Sequence, residues 1–412
     1  MNAPLQTMPE VLGASAMRAQ HSRLLLNLIW TEREISRADL ARRTGLSRST
    51  ISAIISDLLA TGLVRESHAG VSTGGRRPIM LEFRDEANLV VGVELGATHI
   101  SCVLTDLRCS VLARWAVSVP VRDRPAEALD KLSTGVRAVL EAGGVTTSRL
   151  LGIGVAVPSP VDSRHPGELL PLLVPKWQGY NLATHLEQTF SRPVFIDNDA
   201  NLGALAELWW AAGPAVRNLA YIKVATGIGA GLIIDGRIFR GSYGIAGEIG
   251  HTAIDASGPH CECGLNGCLT TIIGTRFLLE RAASHLRASG AARPAPRTLD
   301  ELVDAALDGE AFAVEAIRHT GQRVGIGVAN MLNLLNPDTV VLGGGITRAG
   351  ELLVGAVRET VTRMSLAESI SHAEIRATGL DEWGIAVGAA TLVVESALQE
   401  PAQFAKALQG TP

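Results

Sequence analysis

Three cysteines, Cys261, Cys263 and Cys268, fall within eight residues, and His251 stands ten residues before the first of them. Thiolates and imidazole are the ligands a tetrahedral zinc ion prefers, and three cysteines with one histidine make a common closed structural set. Cys261 and Cys263 are too close in sequence for an easy disulfide, yet each can reach a metal if the backbone curls. Gly264 and Gly267 supply the freedom at positive φ that such a curl needs. The plainer alternative is a reduced, glycine-rich loop with incidental thiols. Three residues before His251 lies Glu248, flanked by Gly247 and Gly250. A metal-bound imidazole offers its second nitrogen to an outer partner. Glu248 and His251 could therefore present an acceptor and an oriented ring nitrogen to a polyhydroxyl ligand, although Glu248 alone also reads as a solvated loop carboxylate.

A second group is Asn198 and Asp199, directly after the apolar run Pro193 to Asp197 and at the head of a helix rich in Ala and Leu. Ligands of parallel sheets sit at the carboxyl ends of strands. An amide offers both donor and acceptor and a carboxylate two acceptors, a good match for sugar hydroxyls. Helix capping is the competing role. Further on, Thr226, Gly227 and Gly229 sit in a glycine-rich turn whose exposed N–H groups could line a phosphate. Such a turn is weak evidence by itself.

These groups need elements to hold them. Leu89 to Leu95 reads as an apolar strand turning at Gly96 into a hairpin partner, Ile100 to Leu104. The spacing then predicts a helix over Ala126–Ala142, a strand Leu150–Val157, a helix Asn181–Gln188 and a strand ending at Asp197. Two strands flank the Thr226 turn, a helix Gly321–Leu335 leads into the strand Thr339–Leu342, and a helix Ile385–Ala397 closes the chain. Alternation of this kind implies mostly parallel sheets in an α/β body.

In front of the body the pattern changes. A helical stripe (Leu24, Leu25, Leu28, Ile29) is followed by a short helix Arg37–Thr44 and by Gly45, suited to a left-handed C-terminal cap. Ser47 then caps a helix to about Ala60, in which Ile51, Ile54, Ile55, Leu58 and Leu59 face inward and Arg48, Ser49, Ser52 and Ser56 face outward. This is the spacing of a helix-turn-helix whose second helix enters the major groove. Two further strands, joined by a loop rich in glycine with Arg76 and Arg77 before Pro78, read as a wing. Arginine in a wing suits the narrow minor groove. A three-helix packing module with a solvated basic loop is the bland alternative.

Composition agrees. With 412 residues, 47% of them hydrophobic, the chain can bury more than one core. The net charge is −4, but up to Arg84 there are eleven Arg and no Lys against seven acids. A basic front on an acidic body suggests nucleic-acid binding at that end. No membrane span or secretory leader is visible. Five cysteines with a metal-like cluster point to a reducing cytoplasm. Cys102 and Cys109, in a strand-like region, read as small buried hydrophobes.

Taken together, Asp197-Asn-Asp-Ala-Asn201, Thr226-Gly-Ile-Gly229, Ala246-Gly-Glu-Ile-Gly-His251, Cys261-x-Cys-Gly-x-x-Gly-Cys268 and Val341-Leu-Gly-Gly-Gly345 make the chain resemble the ROK family (repressors, open reading frames and sugar kinases) from about Ala16 onward. The front resembles the winged helix-turn-helix of the family's repressors responsive to xylose, N-acetylglucosamine or glucose. The resemblance implies an actin-like, ribonuclease-H-like body in two lobes, structural zinc at His251, Cys261, Cys263 and Cys268, and sugar contacts from Ser159, Asn198, Asp199, Glu248 and His251. Asp199 matches the kinases' catalytic base. Two departures stand out. The kinases' first phosphate motif, Asp-x-Gly-Gly-Thr, reads Glu94-Leu-Gly-Ala-Thr98 here, and the Glu that follows their last zinc cysteine and Leu is Thr270. Ser159 stands where many relatives have glycine.

The expected organisation is a disordered stretch 1–14, a winged helix-turn-helix 15–84, a first lobe 85–200 plus about 384–400, and a second lobe 201–383 bearing the zinc site. The expected function is a sugar-responsive regulator, a repressor, without catalytic activity, binding operator DNA and a monosaccharide effector as a homodimer or homotetramer. The alternative is an ATP-dependent sugar kinase with a DNA-binding appendage and Asp199 as base. A scaffold governed by a protein partner is a third reading.

Overall fold

The computed structural model describes residues 13–69, 77–162, 164–165, 167–288, 294–366 and 372–401. The expectation for residues 1–12 and the wing contact of Arg76 lie outside the described residues.

The N-terminal unit contains α1 (Ala14–Glu32), β1 (Glu34–Ser36), α2 (Arg37–Thr44), α3 (Arg48–Ala60), β2 (Val64–Ala69) and β3 (Ile79–Phe83), with the strands in the order β1-β3-β2. Serine hydroxyls set both helix starts: Ser36 Oγ accepts from Asp39 N and Ser47 Oγ from Thr50 N, each at 3.1 Å. Gly45, at φ 69°, ends α2 in the left-handed region. Ile51, Ile54, Ile55 and Leu58 are buried, while Arg48, Ser49, Ser52 and Ser56 face out. Strand β1 is a feature that the spacing did not reveal, because three residues carry no readable period.

Two five-stranded sheets follow. The first orders as β6-β5-β4-β7-β8, from β4 (Leu89–Leu95), β5 (His99–Thr105), β6 (Val111–Ser118), β7 (Leu150–Val157) and β8 (Val194–Asn198). Helices α4 (Pro125–Ala142) and α5 (Leu182–Phe190) cover it. Cys102 is buried in β5; Cys109 is also buried but lies in the turn before β6 rather than in a strand. The second sheet orders as β11-β10-β9-β12-β13, from β9 (Leu219–Val224), β10 (Ile228–Ile234), β11 (Arg237–Ile238), β12 (Thr339–Gly343) and β13 (Glu374–Ala377). Between the sheets in sequence lies α6 (Asp199–Trp210), and the second sheet is covered by α7 (Thr270–Ile273), α8 (Thr275–Ala288), α9 (Leu299–Leu307), α10 (Ala311–Leu335) and α11 (Glu351–Met364). Helix α10 begins ten residues earlier than the glycine at 321 suggested. Gly321 does not break it: a Cβ there would sit 2.7 Å from Ala356 Cβ, so the glycine lets α11 approach.

The last helix, α12 (Gly384–Gln399), returns to the first sheet and crosses α6. A Cβ on Gly388 would lie 1.9 Å from Leu202 O, so only glycine allows this crossing. One face of α6 (Leu202, Leu205) packs with α12, while Ala200 and Ala204 pack on the second sheet. The N-terminal unit is not tethered by a free linker. Leu25, Leu26 and Ile29 of α1 share one hydrophobic cluster with Val393, Val394 and Ala397 of α12. Arg23 Nε donates to Gln399 O at 3.0 Å across the same contact.

Candidate functional site

The site forms where β8 ends and α6 begins. Asp197, nearly fully buried, accepts from the Asn198 backbone N at 2.7 Å and from Asn201 Nδ2 at 2.9 Å on one oxygen, and from Arg240 Nε at 2.8 Å on the other. Asn198 is the N-cap of α6: its Oδ1 accepts from Ala200 N and Asn201 N, and its Nδ2 donates to Ser159 O at 3.3 Å. The amide is thus largely committed to shaping the turn. Ser159 is buried, and its hydroxyl accepts from Leu170 N at 3.0 Å and donates to Pro160 O. The Ser159 hydroxyl is thus engaged with backbone on both its donor and an acceptor side.

Asp199 projects from the first turn of α6 and meets a residue that sequence reasoning missed. Lys223 of β9 donates from Nζ to Asp199 Oδ2 at 2.7 Å and to Glu94 Oε1 of β4 at 3.1 Å. His99 Nε2 stands 3.6 Å from the other Glu94 oxygen. Burial alone would raise the Glu94 carboxyl, but the Lys223 ammonium and His99 outweigh it and hold it down at about 2. Burial likewise works against the Lys223 charge, yet Asp199 and Glu94 raise its pKa above the ordinary lysine value. A signal for this was available: Lys223 is the one charged residue in the apolar run Leu219–Val224, and a buried charge needs partners.

Glu248 borders the same space. Burial, and then the Asp199 charge, push its carboxyl up to about 7. Its Oε2 lies 3.9 Å from His251 Nε2, while His251 Nδ1 lies 3.6 Å from Cys261 Sγ. The imidazole therefore spans from the carboxylate to the thiols. Cys263 and Cys268 Sγ are 3.7 Å apart, and the donor atoms of His251, Cys261, Cys263 and Cys268 all lie within 4.8 Å of one another. A tetrahedron with metal–sulfur bonds of about 2.3 Å has sulfur–sulfur edges of roughly 3.8 Å, so the spacing fits a bound metal ion. Gly264 and Gly267 adopt φ of 91° and 67°, making the curl that brings the thiols together. Burial pushes the Cys268 thiol up to about 12, so a cation is what would make it a thiolate. The turn at Thr226 and Gly227 is exposed at the carboxyl end of β9. Thr270 opens α7, just beyond the last cysteine.

The candidate DNA contacts lie on α3 and just before β3. Arg48, Ser49, Ser52, Ser56 and Arg77 are all exposed. Asp57, the first acid of α3, is bound by Arg18 of α1 at 2.5 Å. No helix among the described residues is long and apolar enough to cross a membrane.

Known proteins match both the front and the body of the chain. A model described as the ROK family matches residues 90–396, and one described as winged helix-turn-helix DNA-binding matches residues 18–65. The xylose repressor of Caldicellulosiruptor bescii is 30% identical over 397 residues, covering 95% of this chain and 99% of that protein. A crystal structure of a ROK family transcriptional regulator, a homologue of the E. coli MLC protein, superposes with a TM-score of 0.80 at 25% identity, over 96% of this chain and 100% of the other. A ROK family glucokinase from Streptomyces griseus, in complex with glucose and AMPPNP, superposes with a TM-score of 0.66 at 27% identity, over 74% of this chain and 99% of its own.

Proposed function

This chain belongs to the ROK family, and from that premise we propose that it is a sugar-responsive transcriptional repressor. The winged helix-turn-helix reads operator DNA, and the cleft at the head of α6 takes a monosaccharide. The observation that carries this reading is the shared core of α1 and α12. A DNA-binding unit built into the body can feel a change in the body, whereas an appendage on a flexible linker could not. The relatives that match the chain over nearly its whole length, the xylose repressor and the MLC homologue, carry both parts.

Within the cleft, Asp199 and Glu248 offer carboxylate oxygens to sugar hydroxyls, and His251 offers a ring nitrogen. Asn198 shapes the turn that aims Asp199, with capacity for one further amide hydrogen bond. His251, Cys261, Cys263 and Cys268 hold a structural zinc ion. Bound zinc would fix the loop and the tautomer of His251; the chain's own carboxylates then do the recognition. Occupation of the cleft shifts α6, and α6 shifts α1. Sugar can achieve this only by binding the two arrangements with different affinity. Paired recognition helices imply a homodimer or homotetramer on paired half-sites, in the reducing cytoplasm that free thiols suit.

The kinase reading keeps Asp199 as a base and the Thr226 turn as a phosphate cradle. Glu94 and Thr270 count against it: the first is longer than the acid it replaces, and the second removes a sugar acceptor. Phosphoryl transfer depends on positioning and metal-assisted charge stabilisation. The test is fluorescence anisotropy of full-length protein on operator DNA selected from its own upstream region, over a panel of monosaccharides. One sugar class changing operator affinity supports the reading. A flat response with substantial Mg-ATP-dependent phosphorylation of any sugar overturns it.

A further inference from the structure

A phosphoryl-transfer cleft needs an open acidic corner in which a divalent ion can meet the nucleotide. Here an amine fills that corner. Glu94 comes from the first sheet, Lys223 from the second and Asp199 from the head of α6, and their side chains are 5%, 12% and 11% exposed. One ammonium holds two carboxylates, with contacts of 3.1 and 2.7 Å. A divalent cation placed between the same oxygens would meet the Lys223 charge at contact distance. Nucleotide phosphates, without that cation, would face a cluster of two negative charges and one positive. The residues present therefore do not fit the metal–nucleotide pair that the kinases of the family use.

We propose that Lys223 is a positioning residue that takes the place of the divalent metal, bars Mg-nucleotide from the cleft, and turns Asp199 from a base into a fixed acceptor for a sugar hydroxyl. Lys223 engages Asp199 Oδ2 and leaves Oδ1 without a contact to the ammonium. With one oxygen held by the ammonium, Asp199 is fixed in place as a hydrogen-bond acceptor. The Lys223–Glu94 contact also ties the two sheets together across the cleft, so the ion pair holds the lobes while the sugar is read. Only the role given to the sugar rests on the regulator reading; the exclusion of metal stands on the ion pair alone.

The test uses full-length, zinc-loaded protein and Mn²⁺ alone, followed by electron paramagnetic resonance, with neither DNA nor sugar present. Failure here is thus separable from failure of the regulator reading, which the operator assay decides. The wild type is expected to take up no Mn²⁺ in the cleft. Lys223→Ser leaves two buried carboxylates facing a vacated space and is expected to gain one Mn²⁺ per chain, at least about tenfold tighter than any wild-type uptake. Adding Glu94→Gln should abolish the gain, and Lys223→Arg, which keeps the charge, should behave as wild type. If circular dichroism shows Lys223→Ser unfolded, Lys223→Gln, which retains length and polarity without charge, carries the same expectation. A folded charge-free variant that gains no ion, or a wild type that already binds Mn²⁺ in a way removed by Glu94→Gln, overturns the proposal.

Discussion

Trp30, near the end of α1, meets Trp209 at the end of α6 edge to face, with ring centroids 5.3 Å apart. Trp210 lies 6.3 Å from the same ring, and the Arg108 guanidinium covers it at 4.2 Å while donating to Trp30 O at 2.7 Å. The other end of α6 is Asp199. A helix of twelve residues is about 18 Å long, and this one carries the Lys223-paired Asp199 at one end and meets Trp30 of the DNA-binding unit at the other. Buried along nearly its full length, it has little room to bend and must move as a rod.

Trp30→Ala is expected to leave operator and sugar binding measurable while weakening the link between them. Couplings of this sort amount to about 1–3 kcal/mol, a 5- to 150-fold change in affinity. In the variant the sugar-induced change in operator affinity should fall below about fivefold. Retention of the full wild-type change would show that the signal travels by another route.

Loss of zinc should loosen the cleft wall. Elemental analysis is expected to return one zinc per chain, and Cys263→Ser to lose it together with thermal stability and sugar affinity. Chelation of the wild type should have the same effect, reversible on adding zinc back. Folded protein free of metal that binds sugar at full strength would remove the zinc assignment.

Acid should expose the Glu94 pair. The carboxyl is held at about 2 against an unfolded value of 4.5, so the native state keeps it ionised where the unfolded state takes up a proton. Stability from this group is present above pH 4.5 and is lost as pH falls toward 2, by an amount on the order of a few kcal/mol. Urea midpoints between pH 6 and 3 should therefore fall less steeply for Glu94→Gln than for wild type. Parallel curves would contradict the pairing.

Replacing Arg76 and Arg77 together by alanine should weaken operator binding and flatten its dependence on salt. Each phosphate that the protein no longer neutralises reduces the slope of log affinity against log salt by about 0.9. Binding and slope both unchanged would reject the wing as a DNA contact.

Local chemistry is what could be read along the chain. The cysteine–histidine loop, the serine-capped helix pair and the inward stripe of α3 are properties of a few consecutive residues, so their types and spacing carry the information. Glycine misled where its role is set by a distant neighbour: Gly321 reads as a helix start, yet it lies within α10 and makes room for α11. Ser159 reads as a cleft residue, and only the tertiary structure reveals the backbone partners, Leu170 N and Pro160 O, that its hydroxyl engages.

By itself the sequence determined a winged helix-turn-helix, an α/β body and a cluster of His and Cys donors spaced as a metal ion would need, because caps, periodicity and ligand spacing are local. The tertiary structure decided what the cleft's charges do. Glu94, Asp199 and Lys223 are separated by 129 residues between the first and last of them, and no period or motif links them. Three parts of the fold had to converge before a lone lysine in an apolar strand became the counter-ion of two carboxylates.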